Sequence, residues 1–293
     1  MNVHLVDGTY ELFRHFFALP SHVTEDGREV AATRGAVGYV LSLLEGGATH
    51  IGGATDHVIE SFRNQMWAAY KTSQGVDQRL LDQFPLLEEG LMALGVVTWP
   101  MVELEADDAM AAAAAFADNV PEVERVYLCS PDKDLGQCVR GDRVVQRIDS
   151  RTGQIRDEAG VIERFGVPPA SVADYLALVG DSSDGYPGLP GWGAKSTALV
   201  LARYGHIEDI PTSPAAWDVP LRGAEKLAAV LQEKMDLALL FKDLATVRTH
   251  DPTLTSIEEL RWLGPTEAFV DFTRQVEMPA LLQRAQTLAR RGL

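Results

Sequence analysis

The chain has 293 residues, 46% hydrophobic and 23% charged, which is enough for one large hydrophobic core or a core with a small second domain. Its two cysteines, Cys129 and Cys138, exclude a disulfide framework and lack the spacing of a zinc site, which fits a cytoplasmic protein. Neither a signal peptide nor an apolar run of bilayer length is present, so we expect no export and no membrane anchor.

The formal net charge of -16 argues at first against a nucleic-acid enzyme, because such proteins normally neutralise phosphates with Lys and Arg. If nine of the 42 acidic residues bind metal, however, the remaining 33 exceed the 26 basic residues by only seven. Residues 185–206 contain no acid and include Lys195 and Arg203. The position of the charges therefore matters more than their sum.

The first half of the chain alternates short apolar runs with helical patterns, as in a parallel α/β sheet. Strands are predicted at residues 3–6, 96–99, 126–129 and 144–148, with a weaker one near Ile51, and helices at 33–44, 78–94 and 106–117. The second half favours helices at 173–179, 194–204 and 223–240, with a Pro- and Gly-rich hairpin at 185–193 between the first two. The tail after His250 gives no clear pattern.

Three aspartates follow predicted strands. Asp7 follows the run 3–6, Asp132 follows 126–129 after a short turn, and Asp56 follows the weaker strand. Because ligands bind beyond the carboxyl ends of parallel strands, we expect these three side chains to converge at one edge of the sheet.

Further acids belong to the same set. Glu105, Asp107 and Asp108 stand at a predicted helix start, and Asp134, Asp181 and Asp184 complete it. Carboxylates at this density would repel one another and become protonated unless cations lay between them, and oxygen ligands suit Mg2+ or Mn2+. Two such ions can bind both the attacking water and the leaving oxygen in phosphodiester hydrolysis.

Four acidic segments, at 6–8, 105–108, 132–135 and 180–184, together resemble those of the 5'-3' exonuclease and flap endonuclease family. This family includes the N-terminal nuclease domain of bacterial DNA polymerase I. The resemblance covers residues 3 to 249. It implies a PIN-like parallel α/β sheet with flanking helices at 1–156, an arch near 61–90, a helix-three-turn-helix DNA-binding domain at 157–250 and a C-terminal tail at 251–293 packed on the core.

The resemblance also implies roles for individual residues around two divalent metal ions, Mg2+ or Mn2+. Asp7, Asp107 and Lys71 are the implied catalytic residues. The first ion is assigned to Asp7, Asp56, Glu105, Asp107 and Asp108, and the second to Asp132, Asp134, Asp181 and Asp184. The implied DNA-binding residues are Arg14, Arg63, Tyr70, Lys71, Gly191, Gly193 and Lys195, with Tyr70 stacking on a terminal base, and the hairpin at 185–193 is an implied K+ site.

The sequence departs from the family pattern at three places. Gln74 stands where the arch usually carries Arg, and Gly185 stands where Asn is common after the last acidic pair. The segment 51–55 is poorer in apolar residues than a family strand, so we expect a looser first metal site.

We therefore expect a structure-specific nuclease that cuts phosphodiester bonds near the 5' ends of branched, flapped or nicked DNA, and RNA-DNA hybrids are further candidate substrates. It would act as a monomer, with a separate DNA polymerase as a candidate partner. Two alternatives remain: a PIN-type ribonuclease, and a branched-DNA-binding protein without catalytic activity.

Overall fold

The computed structural model describes residues 1–250 and 254–290. A six-stranded sheet has the order β3-β2-β1-β4-β5-β6. The first five strands are parallel and the last pairs antiparallel with β5. The strands are β1 (Asn2–Asp7), β2 (His50–Asp56), β3 (Val97–Met101), β4 (Arg125–Cys129), β5 (Val144–Arg147) and β6 (Ile155–Arg156).

Helices cover the sheet and continue beyond it. Those within the first half are α1 (Gly8–Ala18), α2 (Ala31–Glu45), α3 (Arg63–Met66), α4 (Gln78–Leu81), α5 (Gln83–Ala93) and α6 (Ala106–Asp118). The second half contains α7 (Glu158–Phe165), α8 (Val172–Val179), α9 (Ala194–Tyr204), α10 (Ala224–Glu233), α11 (Met235–Ala245), α12 (Ala268–Gln275) and α13 (Pro279–Arg290). No helix among these described residues is long and apolar enough to cross a bilayer.

Three hydrophobic clusters hold these elements together. The first lies between α1, α2 and α5 and includes Phe269 and Leu281, so the helices α12 and α13 pack on the core. The second joins α8 to α11 and also takes in Tyr70 from the first half of the chain. The third packs α6 against β1 and β4. The second cluster therefore crosses between the two halves of the sequence.

The predicted fold class is confirmed, with differences in individual elements. The helix α1 was not predicted. The predicted helix 223–240 is interrupted at Lys234, whose backbone is not helical, and the predicted helix 78–94 is interrupted at Asp82. Residues 83–90, placed in the arch by sequence, belong to α5, where Leu87 is buried in the first cluster.

The strand β2 is fully buried although its sequence is poor in apolar residues. A Cβ at Gly52 would lie 2.6 Å from a ring carbon of Trp99, and one at Gly53 would lie 3.1 Å from a methyl carbon of Leu91. Neighbouring side chains thus occupy the space above these glycines. The strand is closely packed, so its composition gives no support to the expected looser first metal site.

The replacement Gly52→Ala should destabilise the protein by about 1 to 3 kcal/mol, because the new methyl group has to displace the Trp99 ring. The control is Gly38→Ala in α2, where the nearest atom to an added Cβ is 3.8 Å away and a gain of about 0.5 kcal/mol is expected. Urea unfolding measures both changes. Equal stability of the two variants would contradict the close packing of β2.

Candidate active site

Two aspartates end neighbouring strands at the same edge of the sheet. Asp7 ends β1 and caps α1: its carboxylate accepts hydrogen bonds from the Tyr10 amide and the Ser130 hydroxyl, both at 2.7 Å. Asp56 ends β2, and its carboxylate accepts a 2.7 Å bond from the Ala106 amide at the start of α6. These bonds fix the direction of both carboxylates. Both aspartates stand at strand ends on one edge of the sheet, as the sequence predicted.

Asp107 in the first turn of α6 joins this group. Burial raises its pKa well above the usual range, and the charges of Asp132 and Asp7 raise it further. Burial likewise raises the pKa of Asp56, where the charge of Glu105 adds to the effect and that of Lys71 opposes it. The charges of Asp7, Asp56, Glu105 and Asp107 therefore act on one another, which is the condition that a divalent cation would relieve.

A second group consists of Asp134, Asp181 and Asp184. One carboxylate oxygen from each lies within 4.8 Å of the others. One buried oxygen of Asp134 and one of Asp181 have no hydrogen-bond partner. Buried oxygens without partners are costly unless something occupies the space between them, and three carboxylates offer the hard oxygen ligands that Mg2+ and Mn2+ prefer. The residues present therefore fit a divalent cation.

Lys71 lies between the two groups. Its Nζ is 2.7 Å from a carboxylate oxygen of Glu105 and 3.7 Å from one of Asp184. Burial alone would lower the pKa of Lys71, but the charges of Glu105, Asp56 and Asp184 place it well above the usual value. The ammonium group therefore stays positive at neutral pH, and a quarter of the side chain remains exposed.

Lys133 places a second positive charge at the same edge. Its Nζ donates to a carboxylate oxygen of Asp181 at 2.5 Å and to the Ser183 hydroxyl at 3.1 Å. The other oxygen of Asp181 is the one that lacks a partner. Lys133 thus holds Asp181 in place and leaves its second oxygen for another ligand.

Asp108 does not have a free oxygen, which contradicts its assignment as a metal ligand. It accepts two bonds of 2.8 Å from the Arg63 guanidinium, one of 2.8 Å from the Arg248 amide and one of 2.9 Å from the Glu105 amide. A carboxylate has about four lone-pair positions, and all four are used. Asp108 is a structural partner of Arg63.

Arg63 and Tyr70 are also placed differently from the sequence interpretation. Arg63 is buried, and besides Asp108 it donates to the main-chain carbonyls of Leu244 and Thr246 at 2.9 and 3.0 Å. The Tyr70 ring is buried in the second cluster, with its hydroxyl 3.3 Å from Glu105. In this conformation neither side chain can reach DNA, because each is enclosed by protein.

The remaining predicted DNA contacts lie at the surface or near it. Gly191, Gly193 and Lys195 are exposed around the start of α9, and Gly193 is its N-cap. Arg14 is partly exposed and forms an ion pair with Glu11. The helix N-terminus with its adjoining lysine is a suitable site for a phosphate group, whereas contact of Arg14 with DNA stays a prediction.

The hairpin segment is tied to the residues around Lys71. The Lys71 amide donates to the Asp184 carbonyl and the Trp67 indole to the Gly185 carbonyl, both at 3.0 Å. Gly185 has φ +85°, and a Cβ there would lie 2.0 Å from the Ala69 carbonyl oxygen. The departure at Gly185 thus permits a close approach of two main-chain segments beside the second carboxylate group.

Two family models match nearly the whole described chain. The 5'-3' exonuclease N-terminal resolvase-like domain matches residues 2–166, and the 5'-3' exonuclease C-terminal SAM fold matches residues 167–268. The chain belongs to the 5'-3' exonuclease family. The family and fold class predicted from the four acidic segments are confirmed.

Curated relatives of this 5'-3' exonuclease chain are DNA polymerases I. It is 31% identical to that of Pseudomonas aeruginosa, covering 98% of this chain and 32% of the relative, and 30% identical to that of Bacillus subtilis, covering 96% and 32%. With the Mycobacterium leprae polymerase the identity is 34%, covering 84% and 28%. The chain thus spans about a third of the length of these relatives.

Solved structures share the fold. T5 5'-exonuclease with bound divalent zinc ions has a TM-score of 0.64 at 20% identity, covering 99% of both chains. The catalytic core of Rad2 in complex with DNA substrate has a TM-score of 0.61 at 14% identity, covering 97% of this chain and 91% of that one.

Some supporting residues of the candidate active site were not predicted. The Ser130 hydroxyl donates a hydrogen bond to Asp7, and the Ser61 hydroxyl donates one to Glu105. The Thr9 hydroxyl, which belongs to none of the motifs, accepts a hydrogen bond of 2.8 Å from the Asp56 amide. Ser130 follows β4 directly. This position at a strand end is the one sequence feature that could have identified it as a site residue. The contact from Ser61 spans 44 residues, which a single sequence does not reveal.

The metal-free protein should lose stability as the pH rises. Burial raises the pKa of Asp7 and that of Asp184 to about 7. Between about pH 4 and about pH 7 the folded protein therefore binds protons that the unfolded chain has released, and the free energy of unfolding falls through this window. We expect calorimetry to show a Tm lower by roughly 5 to 10 °C at pH 8 than at pH 5.

Saturating Mg2+ should recover more of this stability at pH 8 than at pH 5, because metal ligands bind in the deprotonated form. The variant Asp184→Asn should show a shallower dependence of Tm on pH. Asp271→Asn, which changes an exposed acid of α12, is the control and should keep the wild-type slope. A wild-type slope in Asp184→Asn would contradict the pKa shift.

Proposed function

We propose that this chain hydrolyses phosphodiester bonds near the 5' ends of flapped, nicked or branched DNA, with Mg2+ or Mn2+ bound by its two carboxylate groups. The observation that carries the proposal is the second group, Asp134, Asp181 and Asp184, which has two unpartnered buried oxygens and lies 3.7 Å from Lys71 at Asp184. Family membership supports the same reaction.

In this mechanism the chain's own residues position the reacting groups. Asp7, Asp56, Glu105 and Asp107 would hold the first ion, and Asp132, Asp134, Asp181 and Asp184 the second. Bound divalent ions supply an activated water and stabilise the oxygen that leaves. Because the hydrogen bonds to Asp7 and Asp56 fix these carboxylates before substrate arrives, little reorganisation is required during the reaction.

Lys71 contributes a positive charge where the phosphate would enter. The phosphate gains a negative charge in the transition state, and an ammonium group held between Glu105 and Asp184 stabilises it there. Its partial exposure leaves room for the substrate to approach. Lys71 therefore acts on the reaction step more than on the binding of duplex.

The hairpin at 185–193 and the start of α9 are proposed to bind the duplex without sequence preference, through the exposed N-terminus of α9 and the charge of Lys195. A K+ ion at this hairpin and RNA-DNA hybrids as substrates belong to the same proposal. So do a monomeric state, a cytoplasmic location and cooperation with a DNA polymerase.

The test is gel-resolved cleavage of a 5'-labelled flap duplex with Mg2+, Mn2+ or EDTA. Wild type should release short products only with metal, and Asp134→Asn should lower the rate at least about 100-fold. The control Asp271→Asn should cut like wild type. Wild-type protein that binds the duplex but leaves it intact with either metal would overturn the proposal in favour of a binding protein, and cleavage of single-stranded RNA alone would favour the ribonuclease alternative.

A further inference from the structure

Two neighbouring arginines, Arg156 and Arg164, have no acidic partner. Arg156 ends β6 and is half-buried, and Arg164 is exposed on α7. Within the described residues neither side chain forms an ion pair, although the formal net charge of the chain is -16 and acids are abundant. A guanidinium group stays charged in proteins, so two of them without a counter-ion indicate a site for an anion from outside the chain.

The two side chains lie on the same face of α7. A Cβ added at Gly160 would lie 2.9 Å from Cγ of Arg156, so this glycine allows the helix to rest on the stem of Arg156. Arg164 follows Gly160 by four residues, which places it one turn farther along the same helix face. Burial lowers the pKa of Arg156, and the charge of Arg164 lowers it further. The two positive charges therefore repel each other when no ligand lies between them.

Arg156 is held in place by a buried glutamine. One nitrogen of its guanidinium donates to the side-chain oxygen of Gln146 at 3.2 Å. The side-chain nitrogen of Gln146, which is fully buried in β5, donates to the main-chain carbonyl of Asp132 at 2.6 Å. A single side chain thus links Arg156 to the segment of Asp132, one of the acids assigned to the second ion. The arginine pair therefore belongs to the surroundings of the candidate active site.

The acids nearest in sequence do not neutralise the pair. The Asp157 carboxylate caps α7 by accepting a hydrogen bond of 2.9 Å from the Gly160 amide. Glu163 is exposed and forms no ion pair in the part of the chain that the structure describes. The Arg164 guanidinium lies 5.2 Å from the centroid of the Phe165 ring, a contact that orients it and leaves its charge in place. Both charges therefore remain available to a ligand.

We propose that Arg156 and Arg164 together bind one backbone phosphate of the DNA, on the side of the active site where Asp132 lies. A guanidinium group presents several N–H donors in a planar fork that matches the oxygens of a phosphate. The negative charge of the phosphate also removes the repulsion between the two arginines. Because the contact is to the backbone, it adds affinity without sequence preference.

This inference deepens the proposed function and rests on it, because the phosphate belongs to the proposed substrate. It adds a second contact to the one proposed at the start of α9 around Lys195. Two separate contacts fix the direction of a duplex, whereas a single contact lets it pivot. Loss of the arginine pair should therefore weaken DNA binding and leave the metal sites unchanged.

The test is binding of a fluorescein-labelled flap duplex in EDTA, followed by fluorescence anisotropy at increasing KCl concentration. Wild type is compared with the double variant Arg156→Gln and Arg164→Gln. The matched control is the double variant Arg261→Gln and Arg274→Gln, in which two exposed arginines that already pair with acids lose their charge. The change in net charge is the same in both double variants, so only its position differs.

We expect the double variant at Arg156 and Arg164 to bind about 10-fold more weakly at about 0.1 M KCl. Its plot of log Kd against log[KCl] should lose about one unit of slope, the value for one phosphate contact, whereas the control should keep the wild-type slope. The single variant Arg164→Lys keeps the charge and should keep the slope. The Tm of the double variant should not fall, because the change removes two like charges. In cleavage assays with Mg2+, KM should rise with little change in kcat.

Equal salt slopes in the double variant and the control would overturn the inference while the proposed function stands. Weaker binding that accompanies a clear fall in Tm would also overturn it, because the arginines would then be structural. Unchanged DNA binding with loss of a Tm gain from inorganic phosphate would assign the pair to a small anion instead. Wild-type protein that does not bind the flap duplex would overturn both proposals, and wild-type protein that binds but does not cut would overturn the proposed function alone.

Discussion

The replacement Lys71→Ala should lower kcat for flap cleavage by about 100-fold to 1,000-fold, with a much smaller change in KM. The ammonium group lies 2.7 Å from Glu105 and 3.7 Å from Asp184, and both contacts hold it between the two carboxylate groups. Removal leaves the charge developing on the phosphate without this partner. Single-turnover kinetics at saturating Mg2+ measure the reaction step directly.

The contrasting variant is Lys195→Ala at the exposed start of α9. It should weaken duplex binding and raise KM while kcat stays near the wild-type value. A measurement of Mn2+ affinity distinguishes loss of the lysine charge from damage to the metal site. Lys71→Ala should bind Mn2+ at least as tightly as wild type, because it removes a competing cation. Unchanged kcat in Lys71→Ala would contradict the role given to this lysine.

The replacement Arg63→Met should destabilise the protein by about 3 to 5 kcal/mol, because it leaves the Asp108 carboxylate buried without its charge partner. It also removes donors from the carbonyls of Leu244 and Thr246, at the carboxyl end of α11. Urea unfolding gives the free-energy change. We expect the loss of cleavage in this variant to follow its loss of folded protein.

Two further variants show whether the lost stability comes from the ion pair of Arg63 with Asp108. The double variant Arg63→Met with Asp108→Asn should be less destabilised than the sum of its single changes, because the two side chains form one interaction. The exposed pair of Arg274 with Asp271 is the control, and Arg274→Met should cost less than about 1 kcal/mol. If Arg63→Met kept wild-type stability but lost affinity for DNA, Arg63 would be a DNA contact after all.

The sequence predicts best those features that follow from short segments. Strand ends placed Asp7 and Asp56 at one edge of the sheet, because a strand followed by an acid is visible in a few residues. The break at Lys234 was not visible, since no Gly or Pro marks it. It separates α10 from α11, which packs against α8, and such packing is decided by the whole fold.

Side-chain roles were predicted less well where the partner is distant in sequence. Arg63 is bound by atoms 45 to 183 positions away, so its burial could not be inferred from its own segment. A motif identified Asp108 as an acid in the right place but could not reveal that its lone pairs were used. The Gly52 and Gly53 pair suggested a weak strand. The sequence of this strand could not show that the Trp99 ring of β3 and a Leu91 methyl group of α5 fill the space above the two glycines.

The rings of Trp67 and Tyr70 come from the segment that the first family domain covers, yet they lie in the hydrophobic cluster of the second. A chimaera joined at residue 166 would therefore replace the helices against which these rings rest and leave a mismatched surface beneath Lys71. Exchange of the second family domain between relatives would have to carry residues 67–70 with it. The boundary between the two domains in sequence therefore does not coincide with the boundary between their hydrophobic clusters.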